Sequence, residues 1–238
     1  MISIDDINVS FGGVIALRSV SVVLDATAVG IIGPNGAGKT TLLNVLSGFI
    51  TPKSGAIVAF GDRLLTMAPH ARARWGLRRS FQKEQVVDEL TVEDNVRVAL
   101  DPLRLPPAQR ELYIAAALEF TGISHARTAL AVELNSLERR MTELARCAVG
   151  RPRIVILDEP GAGFSQREVF RLQQVITGMH AFNRAVTLLI DHDVDLIRAT
   201  CPKTMVLNFG SLLTFGDTEA VLTDDAVRRI YLGAEDVA

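Results

Sequence analysis

Three short apolar runs punctuate the chain: Val29-Gly30-Ile31-Ile32, Ile154-Val155-Ile156-Leu157 and Val186-Thr187-Leu188-Leu189-Ile190. Each gives way to polar or glycine-rich residues and then to a helical pattern, the rhythm of buried strands in a parallel α/β core. Toward the ends of the chain the pattern changes. Ile2 to Val9, Ile15 to Leu24 and Ala56 to Phe60 read as antiparallel strands, while Met205 to Asn208 and Leu212 to Phe215 flank Phe209-Gly210-Ser211 like a hairpin. From Leu90 to Gly150 the spacing is mostly helical, interrupted at Pro102 and Pro106-Pro107. There is no internal repeat, low-complexity tract or long linker. The pattern predicts one α/β unit over 1–238, with the core and a β subdomain in 1–82 and 150–238 and a helical lobe inserted at 83–149.

Within that lobe, LNSLERRMTELARC (134–147) reads as an amphipathic helix with its start signal attached. Leu137, Met141, Leu144 and Ala148 share one face. Asn135 and Glu138 stand at the spacing of a capping box.

Composition narrows the class. The 238 residues are 48% hydrophobic, enough to bury a substantial core. No apolar run approaches the ~20 residues that span a bilayer, so the surplus belongs to buried strands or a docking surface. A formal charge of −2 supplies no general attraction to nucleic acid or acidic lipid. Cys147 and Cys201 lack metal-ligand spacing and read as reduced core thiols. The N-terminus, MISIDDINVSF, alternates like a strand and lacks the basic start and apolar centre of a signal peptide, so a cytoplasmic location is expected.

Candidate chemistry collects after the apolar runs, where parallel sheets hold their ligands. GPNGAGKTT follows Ile31-Ile32 and comprises Gly33, Pro34, Asn35, Gly36, Ala37, Gly38, Lys39, Thr40 and Thr41. It fits G-x-x-x-x-G-K-[ST] between a strand and a helical pattern. The glycines let the backbone turn so that successive N–H groups face phosphate oxygens, and the helix N-terminus adds partial positive charge. Lys39 then reaches the β- and γ-phosphates, and the Thr40 hydroxyl can ligate Mg²⁺. Ile154 to Leu157 deliver Asp158 and Glu159. Carboxylates at the end of a buried strand must be paired, protonated or metal-bound. Beside a phosphate loop, Asp158 would hold Mg²⁺ and Glu159 would polarise the attacking water; capping of the following PGAGFS is a second role open to Glu159. His192, just past Ile190, is placed to hydrogen-bond the γ-phosphate or to serve as a solvated turn residue between Asp191 and Asp193.

Taken in order, these motifs resemble the ATP-binding cassette ATPases along nearly the whole chain. The resemblance implies a P-loop NTPase (RecA-like) core, with ATP and Mg²⁺ as cofactors. It implies that Phe11, otherwise readable as a core residue, stacks on adenine. Gln82, in RRSFQ, matches the glutamine that contacts Mg²⁺ and the attacking water and relays their state to a membrane subunit. Asp158-Glu159-Pro160 and His192 match the motifs that complete the hydrolytic site. Further, PHARARWGLRRSFQ (69–82), LTVEDNV (90–96) and YLG (231–233) are similar to the ATPase subunits of branched-chain amino-acid importers. That similarity implies import of branched-chain or related small solutes, permease subunits as partners, an indirect link to a solute-binding protein, and a position on the cytoplasmic face of the inner membrane. It implies no nucleic-acid partner; the chain has room for neither a long coiled coil nor a second cassette.

One segment departs from the family. Such cassettes pair so that an L-S-G-G-Q-like signature of one chain faces the phosphate loop of the other. Here Leu134-Asn135-Ser136-Leu137-Glu138 stands in that place. Leu137 replaces a glycine that lets backbone come close, and Glu138 replaces a glutamine with an anion. Two like charges ~4 Å apart at an effective dielectric of ~20 repel by about 4 kcal/mol. The departure predicts a heterodimer in which a second, different ATPase subunit supplies a sound signature; an ATP-binding regulatory or scaffolding cassette with little hydrolysis is the alternative. Ser165 departs too, where many relatives carry an acidic or amide residue.

Overall fold

The computed structural model describes residues 1–232, with side chains through Ile230. Gly233, the end of the YLG pattern, and the side chains of Tyr231 and Leu232 lie outside the described residues, as does the expected bound at 238. The chain divides into two units, one built from Met1–Ala73 and the chain from Leu188 onward, the other from Arg74–Thr187.

The first unit opens with β1 (Ile2–Phe11) and β2 (Val14–Leu24), antiparallel, with Ile2 opposite Leu24, Phe11 opposite Val14 and register shifts between Ile4 and Ser10. Their alternation buries Ile2, Ile4, Ile7, Val9, Leu17, Val20, Val22 and Leu24 and leaves the other face to solvent. Next come β3 (Ala28–Ile32), buried at every position, and α1 (Lys39–Ser47). The antiparallel sheet is completed by β4 (Ser54–Ala59) and β5 (Asp62–Arg63), in the order β2-β1-β4-β5. Helix α2 (Pro69–Trp75) leads out of the unit. Its Arg72 is buried and donates to the carbonyls of Val45 (2.5 Å) and Leu46 (2.7 Å) at the end of α1, where unpaired carbonyls and the helix dipole favour a cation.

The second unit begins with a strand that the hydrophobic pattern does not announce, β6 (Leu77–Arg79). Two of its three residues are arginines. It pairs in parallel with β7 (Ile154–Asp158), Leu77 opposite Ile154 and Arg79 opposite Ile156. Between the two lies the helical stretch: α3 (Val92–Arg97), a 3₁₀ stretch (Val98–Leu103) containing Pro102, α4 (Pro107–Thr121) and α5 (Ser136–Ala148). Pro107 opens α4, where a missing N–H costs nothing. On α5 the expected apolar face is buried, Leu137, Met141, Leu144 and Ala148 included. The unit continues through α6 (Gln166–Asn183) into β8 (Val186–Ile190), whose last three residues return the chain to the first unit.

There α7 (Val194–Thr200), β9 (Lys203–Asn208), β10 (Ser211–Asp217) and α8 (Thr218–Thr223) follow. β9 runs parallel to β3 and antiparallel to β10, so β3 is paired inside a sheet and reads as a continuous apolar run. Both cysteines are free and buried, and burial pushes their thiols up, Cys147 to about 12 and Cys201 to about 11. Among the described residues no helix is long and apolar enough to cross a membrane.

Candidate functional site

In the first unit, Gly33–Gly38 forms the turn from β3 into α1, whose first residues are Lys39, Thr40 and Thr41. Its glycines are there for backbone reasons. Gly38 takes φ 101° immediately before α1, and a Cβ on it would sit 2.6 Å from the carbonyl oxygen of Ala16; a Cβ on Gly33 would sit 2.1 Å from that of Leu207. The loop is thereby pressed against β2 and β9 on its inner side. Gly36, at φ 79°, faces open space, and Asn35, Gly36 and Thr40 are exposed. Lys39 is buried, with Nζ donating to the carbonyls of Gly33 (2.6 Å) and Pro34 (3.1 Å), so the ammonium closes the loop from within. The result is a cradle of turning backbone with a cation at its centre and a helix start beneath it, a fit for a phosphate chain.

Two other expected residues share this unit. Phe11 is 52% exposed at the end of β1, so it is not a core residue, and its ring is available for stacking. His192 is exposed two residues past the end of β8. Its neighbours serve the turn: Asp191 is buried and accepts from the amide of Asp193 (3.0 Å), while Asp193 caps α7 by accepting from Asp195 and Leu196.

The second unit holds Gln82, Asp158 and Glu159. Asp158 ends β7, buried, with Oδ2 2.8 Å from Arg79 Nη2 on the neighbouring strand. Its amide donates to Ser80 Oγ (3.3 Å). Glu159 adopts φ 51°, an uncommon conformation for a non-glycine residue and one that clusters at functional sites. Its Oε2 accepts from Gln82 Nε2 at 2.8 Å. An amide donor on one carboxylate oxygen fixes the carboxylate's orientation. Among the described residues there is no cluster of three or more metal-ligating side chains. Mg²⁺ does not require one, since it is commonly held by one or two protein oxygens, substrate phosphates and water; the Thr40 hydroxyl in the first unit and the Asp158 carboxylate in the second are each a donor of suitable chemistry.

Arg79 was not among the residues expected to matter, because an arginine in a short polar run carries no pattern. Its side chain is only 5% exposed and that of Asp158 8%. Removing one member of such a pair strands the other charge in the interior. Arg79→Met is expected to lower folding stability by about 3 to 5 kcal/mol, read from urea unfolding, whereas an exposed control such as Arg198→Met changes it little.

The segment LNSLE begins α5 as a closed structure. Asn135 Oδ1 accepts from the amide of Glu138 and Glu138 Oε2 accepts from the amide of Asn135, both at 3.0 Å. Glu138 Oε1 lies 3.0 Å from His125 Nε2, and this hydrogen bond, followed by the one from the Asn135 amide to Oε2, holds the carboxyl below the usual glutamate range. Glu138 is therefore an anion directed back onto its own helix start. Leu137 packs inward and is 9% exposed. Ser165 likewise serves a helix start, its amide and hydroxyl donating to Glu168 at 2.9 and 2.6 Å.

A family model described as ABC transporter matches residues 18–162. The chain belongs to the ABC transporter family. It is similar over 98% of its length, at 33% identity, to the high-affinity branched-chain amino acid transport ATP-binding protein BraF of Pseudomonas aeruginosa, and at 34% to LivG of Escherichia coli, each relative also being covered over 98%. It is 34% identical, over 87% of its length and 86% of the relative's, to the lipopolysaccharide export system ATP-binding protein LptB of Haemophilus influenzae. Among solved structures, the ADP conformation of MJ1267, an ATP-binding cassette of an ABC transporter, superposes with a TM-score of 0.83 at 26% identity, covering 98% of both chains. The fold is thus the P-loop NTPase fold of an ATP-binding cassette, and the chain is an ATPase subunit of an ABC transporter that uses ATP and Mg²⁺. The relatives carry different cargoes.

Proposed function

We propose that this ABC transporter subunit hydrolyses ATP to drive import of branched-chain or related small amino-acid-like solutes. Phe11 stacks on the adenine, and the cradle from Gly33 to Thr41 binds the phosphates with Lys39. Thr40, Gln82 and Asp158 hold Mg²⁺. Glu159 activates the attacking water, and His192 contacts the γ-phosphate. The observation that carries the chemistry is the 2.8 Å hydrogen bond from Gln82 to Glu159, which orients a carboxylate already held in an unusual backbone conformation. The cargo reading is supported by full-length similarity to BraF and LivG. In this reading the chain works against the cytoplasmic face of the inner membrane with permease subunits, fed by a solute-binding protein. Residues 83–149 form the helical subdomain, and 1–82 with 150–238 the nucleotide-binding core and β subdomain.

The same reading includes a different ATPase subunit as partner. The helix start at LNSLE already uses its own Asn135 and Glu138, and a second chain with an open signature would complete the site formed by this chain's phosphate loop. A second reading, an ATP-binding regulatory cassette with little turnover, is favoured by the ionised Glu138 alone. Uptake of radiolabelled leucine separates them. Cells lacking this chain are expected to lose uptake, regain it with the wild-type gene and not with Glu159→Gln. Full rescue by Glu159→Gln would favour the regulatory reading, and unchanged uptake without the chain would remove the cargo.

A further inference from the structure

Helix α5 carries two charged side chains in the interior of the second unit. Arg140 and Glu143 are one turn apart, with side chains 4% and 3% exposed, and Arg140 Nη1 lies 2.5 Å from Glu143 Oε2. A buried pair of this kind is seldom worth more than well-packed apolar residues of the same volume. What apolar residues cannot supply is the set of directional bonds that the pair makes to one stretch of chain. Arg140 Nη1 donates to the carbonyl of Phe81 and Nη2 to that of Gln82, both at 3.0 Å. Glu143 Oε1 accepts from the amides of Phe81 and Gln85, both at 3.3 Å.

Residues 81–85 have no helix or strand of their own to satisfy these groups. The two ends of an ion pair instead grip donors and acceptors of the same backbone, as a planar guanidinium fork and a carboxylate are shaped to do. The grip extends at the rim, where Arg146 donates to the carbonyl of Gln85 and Arg139 Nη1 reaches Asp88 at 2.7 Å. From the gripped backbone, the Gln82 side chain makes its bond to Glu159.

We infer that Arg140 and Glu143 are positioning residues for Glu159, acting through the backbone of Gln82. They make α5, which begins at the LNSLE segment, and the Gln82 loop into one mechanical piece. A displacement of the helix start then reaches the water-activating carboxylate through four main-chain bonds rather than through loose packing. The inference rests on the proposed role of Glu159.

The test compares the wild-type full-length chain, Gln82→Ala, the double variant Arg140→Met with Glu143→Leu, and the combination of all three changes. Thermal midpoint, affinity for a fluorescent ATP analogue, kcat, KM and amide hydrogen exchange are measured for each. The double variant is expected to keep its fold and its nucleotide affinity, to lose about 10- to 100-fold in kcat with KM little changed, and to exchange the Phe81 and Gln85 amides faster. Added to Gln82→Ala it is expected to cost less than about twofold more, because the route is already cut. Arg140→Lys keeps the ion pair without the fork; it is expected to lose part of the same kcat and is the variant read if the double one does not fold. The inference is overturned if the loss is as large in the Gln82→Ala background as in the wild type, or if the two amides stay protected. A Glu159→Gln variant that hydrolyses ATP normally would fail the function reading instead, and it would do so with the exchange pattern unaltered.

Discussion

Glu159→Gln is expected to lower the rate of ATP hydrolysis by about 10²- to 10⁴-fold, the range typical for loss of a general base, while ATP still binds. The substitution keeps the volume and one oxygen of the side chain. It therefore tests proton acceptance without emptying the position. Gln82 Nε2 donates to Oε2, and an amide in place of the carboxylate can still present its oxygen there. The backbone at residue 159 sits at φ 51° whichever side chain is present, so the strain cancels in the comparison. The measurement is steady-state phosphate release beside equilibrium nucleotide binding. A fall in hydrolysis with unchanged affinity is the signature of a group acting only on the transition state. A parallel fall in affinity would instead mean that Glu159 helps to hold the nucleotide.

The legible parts of this chain are those in which one physical demand dominates. β3, β7 and β8 are buried throughout, so each is written as an apolar run, broken only by Thr187 in β8 and by the terminal Asp158 of β7. The phosphate loop was legible as a turn between strand and helix because each glycine meets a stated need, a positive φ or a carbonyl oxygen too close to admit a Cβ. The start of α5 was legible too, since Asn135 and Glu138 are three apart and cap each other.

β6 was hidden for the opposite reason. Arg78 and Arg79 occupy a strand whose burial is made tolerable by partners distant in sequence, Ala99 for the one and Asp158 for the other. No local period records such a partner. The same holds for Arg140 and Glu143, which look like the polar face of an amphipathic helix and are in fact among its most buried side chains. Their spacing of three allows the pair. Only the fold brings residues 81–85 to it.

Lys39→Ala is expected to weaken ATP binding by about 10²- to 10⁴-fold, as loss of two charge-assisted contacts of about 1.5–3 kcal/mol each would do. The ammonium is buried and donates to the carbonyls of Gly33 and Pro34, both within the loop itself. Those bonds preorganise the cradle before any nucleotide arrives. A triphosphate competes for the same ammonium as a far stronger acceptor, so the side chain is drawn from carbonyl to phosphate on binding. Removing it costs the phosphate contact and also leaves two inward-facing carbonyls with one donor fewer. Isothermal titration with ATP and with AMP distinguishes this from a general collapse of the loop. If, as proposed, the lysine reaches phosphates beyond the first, the ATP affinity falls and the AMP affinity changes little. Equal losses for both nucleotides would mean that Lys39 is a strut for the loop rather than a ligand for the triphosphate.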